Sequence, residues 1–340
     1  MRFGLKNIAV LSVLLLSSFQ LYADYNTAAS LYERGFKYEN GNGFPQNYTE
    51  AIKCYRQAAE MGHLEARFRL GRCYERGLGV AKNYQEAVKH YLIAAKKGEP
   101  KAQHNLARCY YYGEGVNKSY IEANKWWQKA AEQGMSLSQH CLGDSYYYGE
   151  GVAKNYAEAV KWYRKAAEQG YINAQMQMGA CYYQGKGVRR NYFESAKWYK
   201  KAAEQGNSNA QYVVASYYYY GEGFSKNYTE AVKWYRKAAK QNDIDAYFGL
   251  GRCYYWGDGV TKNYKEALYW FRKAEKSNSY AKMFIGMCYF WGQGVHMDKQ
   301  KAEYYVNQAA REGCREARQI SNLMKKHKQL RWELVESVFR

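Results

Sequence analysis

The chain has 340 residues, 51 of them Lys or Arg against 31 Asp or Glu, for a formal net charge of +20, and only 2 are proline. No Ser/Gly-rich linker or low-complexity tail interrupts it, and after the first two dozen residues no stretch is apolar enough for a membrane helix. A basic excess of this size favours anionic partners, among them acidic proteins, phosphorylated lipids, cell-surface polyanions and nucleic acid.

Residues 1–23 read as a secretory signal peptide. Arg2 and Lys6 supply the positive start, Ile8 to Phe19 the apolar middle and Ala23 the small residue at the cleavage point, with Leu21 where a second small residue is usual. No Cys follows to accept a lipid. The expected mature chain is soluble and exported, periplasmic or secreted, with 49 basic and 31 acidic residues once Arg2 and Lys6 are removed. Export lowers the weight of a nucleic-acid partner, and none is expected.

From here the chain repeats itself. Glycine pairs flanking one residue begin at Gly41, Gly77, Gly113, Gly149, Gly185, Gly221, Gly257 and Gly292, six spacings of 36 residues and one of 35. A period in this range marks a solenoid, each unit burying its apolar face on its neighbours. A tyrosine stands three residues before every pair, from Tyr38 to Tyr289, and a small residue six before, as at Gly71, Ala107 and Gly143. Glycine costs about 1 kcal/mol inside a helix, so its use there predicts that another helix backbone comes very close. A Leu, Met, Val or Ile usually sits seven before, completing one buried stripe on a short first helix.

The glycines turn the chain, and a second helix then starts at a capping box: Asn47 with Glu50, Asn83 with Glu86, Ser119 with Glu122, Asn155 with Glu158, Asn191 with Glu194, Asn227 with Glu230 and Asn263 with Glu266. In such a box the Asn or Ser oxygen accepts from an orphan backbone N–H and the Glu bonds back to the cap. Trp126, Trp162, Trp198, Trp234 and Trp270 on the second helix are followed four residues later by alanine, a large-to-small alternation expected to interlock stacked helices. Gly62, Gly98, Gly134, Gly170, Gly206 and Gly313, with Asn242 and Asn278, supply the helix stop. The ends differ. Arg34 and Lys37 give the first unit a wettable outer face, and Asp298 caps the eighth with Lys301 in the place of Glu. Glu316 to Phe339 reads as one long amphipathic closing helix with Ile320, Leu323, Leu330, Leu334 and Val338 on one face.

Trp162 to Gly170 (WYRKAAEQG), preceded by Leu142-Gly143, Tyr146 and Gly149-Glu150-Gly151-Val152, resembles the Sel1-like repeat, a relative of the tetratricopeptide repeat. The resemblance covers about residues 28–313. It implies an all-α fold, a right-handed α/α superhelical solenoid of eight helix-turn-helix repeats over 24–314 with a C-terminal capping helix over 315–340, whose first helices line the concave face. It also implies a non-enzymatic adaptor, often in exported bacterial factors that meet host cells, with no shared catalytic residues. A cysteine-rich branch of the family, linked to β-lactam binding, pairs neighbouring helices by disulfides. Here the successive cysteine intervals are 19, 36, 32, 40, 72, 35 and 26, and the short eight-residue pairing is absent.

Cys73, Cys109, Cys181, Cys253 and Cys288 share one place, four residues before the glycine pair. Stacked helices are about 8–10 Å apart, too far for a bridge between equivalent places, which makes these small buried apolar residues. Cys54 with Cys73 and Cys288 with Cys314 remain candidate bridges. His104 and His140, one repeat apart, lack the carboxylate or thiolate partners of a zinc site, so no metal or cofactor is expected. Ser279-Tyr-Ala-Lys282 has penicillin-binding spacing without its companion motifs, and no catalytic residue is assigned. Of the Asn-x-Ser/Thr triplets at Asn47, Asn117 and Asn227, two are helix caps. Lys53, Lys89, Lys125, Lys161, Lys197 and Lys233 stack on the second helices, with Lys129, Lys165, Lys201, Lys237 and Lys273 one turn on, as a solvated face or a positive track.

The irregular places on the first helices are the candidate partner site. They are Arg72, Arg108, Asp144 and Arg252, five residues before the glycines, and Tyr112, Tyr148, Tyr220, Trp256 and Trp291, directly before them. Tyr, Trp and Arg dominate binding hot spots. The first aromatic of each pair is expected to pack between units, and the second to meet a ligand. The reading is an exported, monomeric scaffold whose groove takes an acidic or aromatic-anchored protein or peptide segment without stable membrane insertion. The alternatives are a cell-wall or β-lactam-binding protein with weak hydrolase activity and an electrostatic binder of polyanions.

Overall fold

The computed structural model describes residues 27–326. The expected signal peptide and Leu330, Leu334 and Val338 of the closing helix lie outside them. Among the described residues are seventeen helices and no strand, arranged as eight tandem helical hairpins, so the protein is the all-α repeat solenoid that its period predicts. Two compact units divide it, Met1–Gln169 and Gly170–Arg340. In the first unit α1 (27–40) pairs with α2 (Tyr48–Glu60), α3 (Leu64–Arg76) with α4 (Tyr84–Lys96), α5 (Pro100–Tyr112) with α6 (Tyr120–Glu132), and α7 (Ser136–Tyr148) with α8 (Tyr156–Glu168). In the second, α9 (Ile172–Gln184) pairs with α10 (Tyr192–Glu204), α11 (Ser208–Tyr220) with α12 (Tyr228–Ala239), α13 (Ile244–Trp256) with α14 (Tyr264–Ala274), and α15 (Ser279–Trp291) with α16 (Lys299–Arg311). The last helix, α17 (Arg315–Lys326), packs on α16, its Ala317 and Ile320 buried.

The caps differ from the expected box by half. Asn47, Asn83, Asn191 and Asn227 each accept from the backbone N–H of the Glu three residues on, at 3.0–3.1 Å. The Glu side chain does not return to the cap. The cap's own N–H is already given to the carbonyl of the tyrosine that precedes the glycine pair, Asn83 to Tyr74 at 2.8 Å and Asn227 to Tyr218 at 2.8 Å. With that donor used, the carboxylate turns to the lysine one turn later, as in Glu86–Lys89 at 2.5 Å and Glu230–Lys233 at 2.6 Å. The bond from cap to tyrosine ties the start of each second helix to the end of its first.

The glycine in the first helix has the close backbone expected of it, a Cβ on Gly71 standing 3.2 Å from the Ala87 carbonyl oxygen and one on Gly286 3.0 Å from that of Ala302, and a second neighbour that was not expected. An aromatic ring of the second helix lies on it: a Cβ on Gly71 would meet Tyr91 at 2.7 Å, and one on Gly143 would meet Tyr163 at 2.6 Å. The ring-bearing residue follows the tryptophan place. Tyr91 and Tyr163 are fully buried, while the tryptophan column is mixed, Trp198 and Trp234 buried and Trp126, Trp162 and Trp270 half-buried, so both columns take part in the large-to-small interlock. In the third repeat alanine suffices, and Ala107 shares a buried cluster with Trp127.

Neighbouring repeats are joined by two further devices. The second glycine of six pairs, at Gly79, Gly115, Gly151, Gly223, Gly259 and Gly294, seats on the backbone that opens the preceding repeat's second helix; a Cβ on Gly79 would stand 2.6 Å from the Tyr48 carbonyl carbon. Buried glutamines form the other. Gln211 of α11 donates to the Ala203 carbonyl of the preceding repeat at 3.1 Å, as Gln139 does to Ala131 at 3.0 Å. Within its own hairpin Gln211 accepts from Gln241 at 3.0 Å, and the bonds from Gln133 to Gln103 and from Gln169 to Gln139, both at 2.8 Å, likewise close their own hairpins. Each glutamine answers a polar group that burial would otherwise leave unpaired.

All eight cysteines are free, including Cys54, Cys73, Cys288 and Cys314 of the candidate bridges. Burial pushes the thiols of Cys73, Cys109, Cys253 and Cys288 up to about 12. They pack as small apolar side chains.

Candidate functional site

The first helices of consecutive repeats, α11, α13 and α15, touch in order, so residues at one register of each line a common face. On that face of the second unit lies a cleft of about 920 Å³ lined by Tyr212, Tyr220, Asp245, Phe248, Arg252, Trp256, Asn278, Tyr280, Phe284 and Glu316. Three of the sequence-selected residues meet here: Tyr220, Arg252 and Trp256. The Arg252 guanidinium lies over the rings of Tyr219 at 4.7 Å, Tyr220 at 5.6 Å and Phe248 at 5.9 Å. It donates to the Tyr220 hydroxyl at 2.5 Å and the Tyr219 hydroxyl at 3.3 Å. These two bonds use two of the five N–H donors of the guanidinium. Tyr220 is 53% exposed and stands edge-on to Tyr219, and Trp256 stands edge-on to Tyr255.

In three pairs the first aromatic is spent on the neighbouring repeat. Tyr111 donates to Glu150 at 2.8 Å, Tyr219 to Asp258 at 2.6 Å and Tyr255 to Gln293 at 2.7 Å, in each case to the residue after the next repeat's first glycine. These bonds leave the second aromatic facing outward.

The other selected residues stand elsewhere. Trp291 packs edge-on to Phe290 and lines a small gap with Ile320 and Met324. In the first unit Tyr112 and Tyr148 are 62% and 58% exposed. Arg72 reaches over Phe68 at 6.0 Å, while Arg108 is paired with Glu75 at 3.3 Å. Asp144 accepts from the Tyr163 hydroxyl at 2.6 Å and faces His140 at 3.4 Å. Burial raises its pKa, against the pull of His140 and of Tyr163.

Phe248 was missed by sequence reasoning, although its column carried a signal. Nine residues before the glycines stand Phe68, His104, His140, Met176, Tyr212 and Phe248, bulky and changing in type, one helical turn from the arginine column. Asp245 and Tyr280 share one place, twelve residues before their glycine pairs, while Phe284 in α15 and Glu316 at the start of α17 carry no repeat spacing that joins them to it.

The second-helix lysines are largely engaged. Lys53, Lys125 and Lys161 pair with the glutamate three residues back at 2.5–2.6 Å, and Lys129, Lys165, Lys201 and Lys237 sit 3.8–4.4 Å above the tryptophan rings. Lys282 pairs with Glu312. His104 is buried and bonded to Ser138 at 2.9 Å. No group of three metal-ligating side chains gathers among the described residues, and no helix among them is long and apolar enough to cross a membrane.

A family model of the Sel1 repeat matches residues 23–63, 64–99, 100–135, 136–171, 172–207, 208–243, 244–279 and 279–314. The chain belongs to the Sel1 repeat family. Sel1 repeat proteins are generally non-enzymatic scaffolds for protein interaction. Among solved structures, this Sel1 repeat chain is similar to a Sel1 repeat protein from Oxalobacter formigenes, at 29% identity over 92% of this chain and 93% of that one, with a TM-score of 0.63. It is also similar to c5321, described as a protective antigen present in uropathogenic Escherichia coli strains and displaying an SLR fold. There the identity is 30% over 92% of this chain and 82% of that one, with a TM-score of 0.50. No curated protein matches the sequence.

Proposed function

We propose that this Sel1 repeat protein is an exported, monomeric, non-enzymatic scaffold that holds an acidic peptide segment of another protein, from the host or the cell envelope, in the cleft of its second unit. The carrying observation is Arg252, a guanidinium laid on three aromatic rings inside an aromatic-walled cleft. A carboxylate of the segment bonds to the guanidinium N–H donors that Tyr219 and Tyr220 leave over, and a hydrophobic side chain lies against Phe248, Phe284 and Trp256. The export reading is supported by Arg2, Lys6 and the apolar run from Ile8 to Phe19, and by the likeness to a protein described as a protective antigen.

The test places a photo-crosslinking amino acid at Tyr220 in the native cell, with and without Arg252→Gln. One partner captured by the parent and lost with R252Q is the expected result. Capture that is equal in both overturns the reading. Recovery of the protein only from the cytoplasm, with residues 1–23 retained, removes the exported half of it.

A further inference from the structure

On the first-helix face of the first unit Arg69, Lys101 and Arg108 are matched within the fold, and Arg72 lies over Phe68 with no carboxylate in ion-pair distance among the described residues. Arg69 pairs with Glu39 at 3.0 Å and with Glu65 at 3.5 Å, Lys101 pairs with Glu65 at 3.0 Å, and Arg108 with Glu75 at 3.3 Å. The cleft of the second unit is built on the same helical places, yet its charges are unmatched. Among the described residues no carboxylate lies within ion-pair distance of Arg252, and no cation lies within that distance of Asp245 or Glu316.

Their positions have an order. Asp245 is the second residue of α13, Asn278 caps α15 and Glu316 is the second residue of α17, so the acidic wall of the cleft is made of helix N-termini. Those ends favour negative charge. Arg252, Tyr220 and Trp256 lie toward the C-terminal ends of α13 and α11. Seven residues of α13 separate Asp245 from Arg252, a rise of about 10 Å at 1.5 Å per residue. Phe248 and Phe284 line the cleft with them.

A ligand carrying only negative charge gains Arg252 but meets Asp245 and Glu316 with the wrong sign, and a purely cationic ligand meets the reverse conflict. Charge complementarity selects partners by such conflicts as much as by attraction. Building on the peptide reading above, we infer that the segment held here is dipolar: an acidic side chain on Arg252, a hydrophobic one over Phe248 and Phe284, and a Lys or Arg side chain between Asp245 and Glu316. An extended peptide advances about 3.3 Å per residue, so about 10 Å places the acidic and basic residues three apart.

The experiment uses the full chain and an array of immobilised ten-residue peptides centred on Phe. The flanking residues are two Glu, two Lys, two Ser, Glu and Lys three apart, or Glu and Lys adjacent. Wild type is compared with Arg252→Gln and with the double variant Asp245→Asn/Glu316→Gln, each checked for native helicity. The expected result is retention of the three-apart dipolar peptides by wild type at least tenfold above the two-Glu peptides. The double variant loses that preference and R252Q loses both. If wild type retains two-Glu peptides best and R252Q abolishes this, the dipolar inference falls and the acidic-peptide reading stands. If no retention depends on Arg252, both fall.

Discussion

Gly77 and Gly79 form one turn and share left-handed φ angles of 72° and 68°, but they do different work. A Cβ on Gly77 would meet the Lys82 Cβ at 3.3 Å, which a small shift relieves. One on Gly79 would stand 2.6 Å from the Tyr48 carbonyl carbon and 2.8 Å from the Thr49 nitrogen, both backbone at the start of α2. Gly77→Ala therefore pays for left-handed φ alone, about 1–2 kcal/mol. Gly79→Ala has that cost and must also push α2 away, adding about 1–3 kcal/mol for overpacking against atoms that cannot rotate aside. Because the seam lies between repeats, G79A should also broaden unfolding by uncoupling the first repeat from the second. Urea titration of both variants, followed by circular dichroism at 222 nm, measures this. Equal midpoints and slopes for G77A and G79A would refute the claim that the second glycine is the seat of the neighbouring repeat.

Burial holds the His104 imidazole down at about 4, against 6.5 for a free histidine. The unfolded chain takes up its proton first as pH falls, so the stability is complete above about pH 6.5 and is lost progressively from there toward pH 4, by about 3 kcal/mol. His63, His90 and His140 are also lowered by burial, so the difference in melting temperature between wild type and His104→Gln at pH 7 and at pH 4.5 isolates the contribution of His104. A difference independent of pH would show that His104 titrates normally. With the thiols of Cys73, Cys109, Cys253 and Cys288 pushed up to about 12, a disulfide reagent at pH 8 should modify them slowly in the native protein and all eight cysteines in urea. Fewer than eight reactive thiols in unreduced, unfolded protein would mean that a bridge forms after all.

Features that depend on a few consecutive residues were legible in the chain. The 36-residue period, the Asn47 and Asn83 caps, and the glycine stops follow from backbone sterics and orphan N–H groups, which are settled within one turn. So were Arg252, Tyr220 and Trp256 as candidates, because their columns break the repeat. What needed tertiary structure was the other end of each interaction. The cap N–H goes to Tyr74 rather than to Glu86 because the hairpin brings that carbonyl closer than the side chain can reach. The first-helix glycine admits the Tyr91 ring as well as the α4 backbone at Ala87, and which of two adjacent aromatics turns inward depends on the rotation of α4 against α3. Gln241 meets Gln211 across 30 residues. Arg108 and Arg252 share one place in the repeat, yet the first is neutralised by Glu75 and the second lies on tyrosines, because the residue two before the preceding glycine is Glu in one repeat and Tyr219 in the other. A local code decides that a helix starts, turns and stops. Which charges remain unanswered is decided only when neighbouring helices bring their own.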